Sequence, residues 1–211
     1  MVKSKPKGRP RADEVDQRIE HILTVAEGLF VRDGYQAVSV DEIARAAQIS
    51  KKTIYTQFNN KAGLLAAVVD RLAGGSSLTL TPDPDQGLRE GLLHCANVIL
   101  DVSYDPKTIR FDILLFREGQ AFPELVRTFE NVAKERLMKP VEAFLVACAE
   151  RGLTREADFA LAAETFVYLL TADIISKTAM GEAPKMSTTD RRARAEKFCD
   201  LFVYGIQSSE V

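Results

Sequence analysis

Apolar residues recur at three- and four-residue spacing along most of the chain, and almost nowhere in sustained alternation. Ile19, Ile22, Leu23, Ala26, Leu29 and Phe30 form one face over residues 18–33, the pattern of an amphipathic helix. Gly34 stands where such a helix would stop. Ser39, with Glu42 three residues on, opens a short helix from Val40 to about Ala46. In a Ser-x-x-Glu sequence each side chain can satisfy an orphan backbone donor of the first turn. After Ala47-Gln48-Ile49, Ser50 can cap a third helix through Phe58, and Asn60 a fourth from Lys61 to about Ala73. The stretch 74–87, rich in Gly, Pro and Asp, predicts a loop, because its Leu-Thr-Leu-Thr alternation is too short to stand alone. Helices follow near 87–104, 107–118, 123–151, 155–181 and 188–207, stopped by Asp105-Pro106, Gly119 to Phe122, Gly152, and Gly181 to Pro184.

An all-α fold of about nine helices is therefore expected: an N-terminal three-helix domain and a larger C-terminal helical domain. A chain of 211 residues suits a small domain joined to a larger one. The divisions read as a basic arm over 1–14, the first domain over 15–73, the loop 74–87, and the second domain over 88–211. Net charge is only −2, but its distribution is uneven. Residues 1–61 hold 11 Lys and Arg against 8 Asp and Glu; the remainder holds 17 against 22. Lys3, Lys5, Lys7, Arg9 and Arg11 begin the chain with no acid among them, which suits a polyanion partner or a solvated tail.

Cysteine usage suggests neither a disulfide framework nor a zinc site, since Cys95, Cys148 and Cys199 are odd in number, lie far apart and form no CxxC pair. They are expected to be small buried hydrophobes in a cytoplasmic protein. The basic N-terminus has no apolar segment behind it and does not read as a secretory signal. Phe159 to Ser176 is apolar enough to raise a membrane question, but Glu164 and Asp173 interrupt it. A carboxylate near a bilayer centre costs about 3 kcal/mol, so a buried helix and no membrane partner are expected.

Helices at 18–33, 40–46 and 51–58 make a helix-turn-helix with a supporting first helix. Ile54 and Phe58, one turn apart, must face the small core with Leu29, Ile43 and Ala44. At 100° per residue, Lys52, Thr53 and Thr56 then point away, with Tyr55 on one flank, open to a groove or to the core edge. Lysine can donate to guanine O6 and N7, threonine methyls can meet thymine methyls, and hydroxyls can reach phosphates. The helix starts at Ser50-Lys51 and Asn60-Lys61 offer free N–H groups to phosphate oxygens.

The run GYQAVSVDEIARAAQISKKTIYTQFNNKAGLL, Gly34 to Leu65, closely resembles the TetR family of transcriptional regulators, and AEGLFVRDGY at the end of the first helix adds to the likeness. The resemblance is firm over about 15–72 and architectural beyond. It implies that Ser39 contacts phosphate, and that Lys51, Lys52, Thr53, Tyr55 and Thr56 form the recognition surface. It further implies that Lys61 grips the backbone and that Arg9 and Arg11 reach a neighbouring phosphate or minor groove. Gln48 departs from the family's usual glycine in the turn, where a left-handed backbone strains any other residue.

Residues 155–181 are apolar on nearly all sides, so this helix needs partners on nearly all sides. With the last helix it resembles the pair that in this family joins a second subunit as a four-helix bundle, the alternative being the central helix of a monomer. The expected homodimer interface is Ala160, Ala163, Val167, Leu170 and Ile174, with Phe198, Phe202 and Gly205. The family also places a small-molecule effector pocket among the middle helices. Candidate lining residues are Cys95, Ile99, Phe111, Leu115, Phe122, Phe129 and Phe166, with Arg117 and Glu118 as polar groups, although each aromatic could equally be ordinary core. Phe116 to Asn131 looks similar to a segment of AcrR-like members, many of which respond to apolar small molecules.

The function implied is a ligand-responsive regulator, a repressor holding a pseudo-palindromic double-stranded DNA operator as a dimer and released by an apolar or amphipathic effector. An activator on the same fold, or a helical interaction module without sequence-specific DNA binding, are the alternatives. Salt-insensitive association without DNA would favour the module. An enzyme finds little support: His21 and His94 are the only histidines, and no metal-ligand spacing, nucleophile elbow or phosphate loop is present. No cofactor, metal or catalytic residue is expected.

Overall fold

The structure, a computed structural model, describes residues 12–72, 80, 82–182 and 184–206. Among these residues there is no strand. The helices are α1 (Ala12–Asp33), α2 (Val40–Ala46), α3 (Lys51–Phe58), α4 (Lys61–Leu72), α5 (Leu88–Ser103), α6 (Pro106–Glu118), α7 (Pro123–Ala133), α8 (Lys139–Glu150), α9 (Phe159–Ala179) and α10 (Thr188–Ile206). A π-helical turn, Lys134–Met138, joins α7 and α8 into one continuous helix, as the pattern over 123–151 predicts. Two compact units result, residues 1–68 and 69–211, so the last turn of α4 goes with the second.

In the first unit, Ile22, Ala26, Phe30, Ile43, Ile54, Leu64 and Leu65 are fully or almost fully buried. The Phe30 and Tyr35 rings pack 5.4 Å apart. Helix α1 begins at Ala12, earlier than the apolar stripe implies. Asp16, Gln17 and Arg18 are exposed, and a solvated polar turn extends a helix without leaving a mark in hydrophobic periodicity. Ser39 caps α2, its hydroxyl accepting from the Glu42 N–H at 3.1 Å. Ser50 caps α3 by accepting from the Thr53 N–H at 3.1 Å.

The turn between α2 and α3 is set by two hydrogen bonds. The Gln48 N–H donates to the Arg45 carbonyl at 3.2 Å, and the Ile49 N–H to the Ala44 carbonyl at 3.0 Å. This nested pair is a Schellman ending, which places the residue after the cap in left-handed conformation. That residue is Gln48, at φ 54°. The departure from glycine thus leaves the turn's geometry intact and adds strain. Left-handed backbone costs a side-chain-bearing residue about 1–2 kcal/mol, while glycine's extra freedom when unfolded returns about 0.5–1 kcal/mol. Gln48→Gly is therefore expected to stabilise the first unit by about 0.5–1 kcal/mol, read from urea unfolding; a loss would contradict the left-handed turn.

In the second unit, α9 is the one helix among the described residues long and apolar enough to cross a membrane. Here it is packed against protein: Ala163, Phe166, Val167, Leu170 and Ile174 are buried in the unit's core. It starts at Phe159 rather than near 155, capped by Asp158, whose carboxylate accepts from the Leu161 N–H at 3.0 Å. The residues before it serve the end of α10 instead. The Arg155 N–H donates to the Ile206 carbonyl at 3.1 Å, and its guanidinium to the Gly205 carbonyl. Helix α10 lies along α5, held by Arg89–Asp200 at 2.6 Å and by Arg191 and Arg192 on Asp101 at 3.1 and 2.7 Å. Phe166, Phe198 and Phe202 form an aromatic cluster with centroids 5.0 to 6.1 Å apart. All three cysteines are free and buried, and burial pushes the Cys95 and Cys199 thiols up to about 12.

Candidate nucleic-acid interface and effector cavity

Helix α3 turns Ile54 and Phe58 into the core and leaves Lys52, Tyr55, Thr56 and Gln57 exposed. Lys52 has no ion pair or hydrogen bond through its ammonium among the described residues, so its charge is available to a partner. Thr53 is half-buried, and its hydroxyl shares a 2.8 Å hydrogen bond with that of Ser50. Thr56 donates to the Lys52 carbonyl at 2.8 Å, which leaves its methyl and oxygen lone pairs outward. Tyr55 is 42% exposed, a flank position rather than a core edge. Gln57 occupies the opposite flank and is absent from the expected recognition surface, although the same 100° rotation would have placed it there.

Lys51 is tethered rather than free. Its ammonium pairs with Asp41 of α2 at 2.9 Å and lies 5.8 Å from the Tyr55 ring centre. The Asp41 hydrogen bond raises its pKa. Exposed pairs of this kind contribute little to stability, so a phosphate can compete for the lysine. Lys61 sits over the Tyr35 ring at 4.3 Å and donates to the Gln36 carbonyl at 3.4 Å. It is thus half-buried and oriented, not a loose solvated charge. Ser39 is exposed at the start of α2. Arg9 and Arg11 lie outside the described residues.

The connection from α3 to α4 is unusually tight. Asn59 takes φ 63° and ψ −49°, and the Asn60 N–H donates to the Phe58 carbonyl at 2.7 Å. That is a γ-turn of the rarer, strained hand. It aims the Phe58 carbonyl at Gly63, where a Cβ would lie 2.0 Å from the oxygen. Only glycine fits there, which accounts for the glycine in Asn60-Lys61-Ala62-Gly63.

The second unit contains a cavity of about 90 Å³. Its wall comes from the last turn of α4 (Val69, Leu72), α5 (Val102, Ser103), α6 (Thr108, Phe111, Asp112) and α7 (Phe129, Val132, Ala133), with Leu137 and Met138 of the π-helical turn. Helix α9 completes it with Val167, Tyr168, Thr171, Ile174 and Ile175. Of the expected lining residues, Phe111 and Phe129 are present. Cys95, Ile99 and Phe166 are fully buried in the core cluster instead; Leu115, Arg117, Glu118 and Phe122 are not on the wall. Arg117 is engaged with its neighbour Glu118 at 3.2 Å. The residue missed is Asp112, only 9% exposed, with its Oδ1 buried and without a partner among the described residues. Burial raises its carboxyl to about 7. The turn of α4 on this wall is clamped to the π-helical turn by Asp70 and Arg136, joined bidentately at 2.6 and 2.9 Å.

The expected interface residues fall in several places. Ala163, Val167, Leu170 and Ile174 belong to the chain's own core, and Phe198 and Phe202 pack half-buried on Phe166. Ala160 and Gly205 are exposed, with open space beside Gly205. A second stripe of α9 remains outward instead: Leu161 at 58%, Tyr168 at 48% and Leu169 at 56% exposure, continued by Ala172 and Ile175. On α10, Leu201 and Tyr204 are also exposed.

Comparison with known proteins agrees with both units. Residues 22–68 match the family described as bacterial regulatory proteins, tetR family. Residues 90–205 match the C-terminal domain of AefR-like transcriptional repressors. The chain is 27% identical over 191 residues to the HTH-type transcriptional regulator YvkB of Bacillus subtilis, covering 90% of this chain and 97% of that one. It is 42% identical over 121 residues to the DNA-binding transcriptional repressor TetR of Mycobacteroides abscessus, covering 55% and 54% of the two chains. The solved structure of the flavonoid-responsive regulator FrrA superposes with a TM-score of 0.73 at 24% identity, covering 92% of this chain and all of that one. This chain belongs to the TetR family of bacterial regulatory proteins and is a DNA-binding, ligand-responsive transcriptional regulator.

Proposed function

We propose that the chain is a cytoplasmic repressor, without catalytic activity, that holds a pseudo-palindromic operator as a homodimer and releases it on binding a small apolar or amphipathic effector. The observation that carries this reading is the outer face of α3, where Lys52 and Thr56 stand exposed on a helix fixed by its Ser50 cap and by Ile54 and Phe58. A base-reading group must be held by a rigid support and left without competing partners. Lys52 meets both conditions. Tyr55, Ser39, Lys51 and Lys61 serve to position the backbone, with the arm through Arg9 and Arg11 extending that role. Repression accords with the described functions of the matched C-terminal domain and of the Mycobacteroides abscessus relative.

The second copy packs on the outward stripe of α9, Leu161, Tyr168, Leu169, Ala172 and Ile175, with Leu201 and Tyr204 of α10. Its support is the exposure of this apolar row beside a stripe already committed to the core. The effector enters the cavity walled by Val69 and Leu72. An effector that displaces Val69 and Leu72 moves a turn continuous with the helix that begins in the DNA-binding unit. An effector that prefers the displaced state by a few kcal/mol suffices to shift the population away from DNA.

Lys52→Ala is expected to weaken operator binding by about tenfold or more, as one lost base contact per half-site would, and to relax the preferred base there. Tyr55→Ala should weaken all DNA sequences alike. Fluorescence anisotropy with operator and scrambled duplexes separates the two outcomes. Unchanged operator affinity for both variants at low salt would remove α3 from the interface.

A further inference from the structure

The wall of the cavity in the second unit is mostly apolar; its polar residues are Ser103 of α5, Thr108 and Asp112 of α6, and Tyr168 and Thr171 of α9. Thr108 and Asp112 lie four residues apart, so they stand one above the other on the same face. Both contribute to the cavity wall, and both carry a buried side-chain oxygen with no hydrogen-bond partner among the described residues: Thr108 Oγ1 and Asp112 Oδ1. Buried polar atoms normally find partners, and an orphaned pair carried by two residues of a cavity wall calls for one from outside. A carboxylate is an acceptor only, and its strongest partner is a cation able to donate hydrogen bonds. Among the described residues no Lys, Arg or His of α4, α5, α6, α7, the π-helical turn or α9 lines the wall, and Tyr168 is the one other titratable group there. A cationic head would therefore meet no competing charge, and an anionic head would meet only an acid.

Resting on the reading of this cavity as the effector site, we infer that the effector is an amphipathic cation, with a protonated amine held by Asp112 and Thr108 and an apolar body against Phe111, Phe129, Leu137 and Ile174. The ammonium donates to the Asp112 carboxylate and to the Thr108 hydroxyl oxygen, satisfying both orphaned atoms at once. Ion pairing in an apolar surround is strong because little water screens it. Burial holds the Asp112 carboxyl near 7 when the cavity is empty, so a cation also stabilises the ionised form that the surroundings disfavour.

Three probes of one chain length test the inference: hexylammonium, 1-hexanol and hexanoate, titrated by calorimetry into the full chain at pH 8. Hexylammonium should bind about tenfold or more tightly than 1-hexanol, as a charge-assisted bond implies, with hexanoate weakest. Asp112→Asn, nearly the same shape, should remove that preference while keeping 1-hexanol binding. Equal or tighter binding of 1-hexanol by the natural chain would overturn the cationic assignment yet leave the effector cavity standing. A preference for hexylammonium that survives in Asp112→Asn would equally overturn it. Binding of none of the three would overturn both the assignment and the cavity's role.

Discussion

Replacing Leu169 and Leu201 together by glutamate should convert the protein to a monomer and weaken operator binding by about 100-fold or more. Both side chains are more than half exposed in the single chain, Leu201 at 78%. Burying a leucine stabilises association by about 1.5–3 kcal/mol, and a two-fold interface repeats each contribution. A carboxylate placed there must instead be desolvated without a partner. Two linked recognition helices gain affinity from the high effective concentration of the second once the first is bound, and a monomer loses that gain. Sedimentation equilibrium reads the mass, and anisotropy with an operator duplex reads the affinity. A double variant that remains dimeric would move the interface away from this stripe. Loss of mass with full retention of affinity would show that one recognition helix suffices.

Asp112 carries the second large effect, and its sign is fixed by burial. In the unfolded chain the carboxyl has its ordinary value of 3.8; in the folded chain burial raises it to about 7. A raised folded value means that the stability contribution is fully present below 3.8 and is lost as pH climbs towards 7. Each pH unit in that window costs up to about 1.4 kcal/mol. Asp112→Asn removes the titration. The variant's stability advantage over the natural chain should therefore grow by about 2–3 kcal/mol between pH 5 and pH 8, and should level off above 7. Urea unfolding across that range measures it. An advantage independent of pH would mean that Asp112 ionises freely, with a partner or with water.

The contrast between these two sites shows where sequence reasoning reached and where it stopped. Helix ends were legible because capping is local: Ser39, Ser50 and Gly34 each act within a few residues of their position. The outward face of α3 was legible because Ile54 and Phe58 leave a short helix only one rotation. Helix α9 carries apolar residues on every side, so periodicity gives no phase. The stripe through Ala163, Val167 and Ile174 and the stripe through Leu161, Leu169 and Ala172 are equally good candidates for the core. Packing against Phe198 and Phe202 through Phe166 decides between them, and that contact spans 32 and 36 residues of sequence.

The cavity was harder still. An apolar residue that lines a void and one that fills a core look alike in sequence, and so Cys95, Ile99 and Phe166 were indistinguishable from Phe111 and Phe129. A signal existed in Asp112, which falls on the same stripe as Phe111 and Leu115. An acid inside an apolar stripe is either an error of phase or a functional group, and burial shows it to be on the inner face. The tight link between α3 and α4 had a weaker signal in Gly63. Its need becomes plain only when the strained Asn59 turn brings the Phe58 carbonyl against it.

DNA recognition through α3 of a dimer is tested most directly by letting the purified full chain select duplexes from a random-sequence pool. The expected result is an enriched pseudo-palindrome whose half-sites lie about one helical turn, or a multiple of it, apart, with Lys52→Ala changing the preferred base at one symmetric pair of positions. Selection of no sequence, or of an identical sequence by the natural chain and Lys52→Ala, would contradict it.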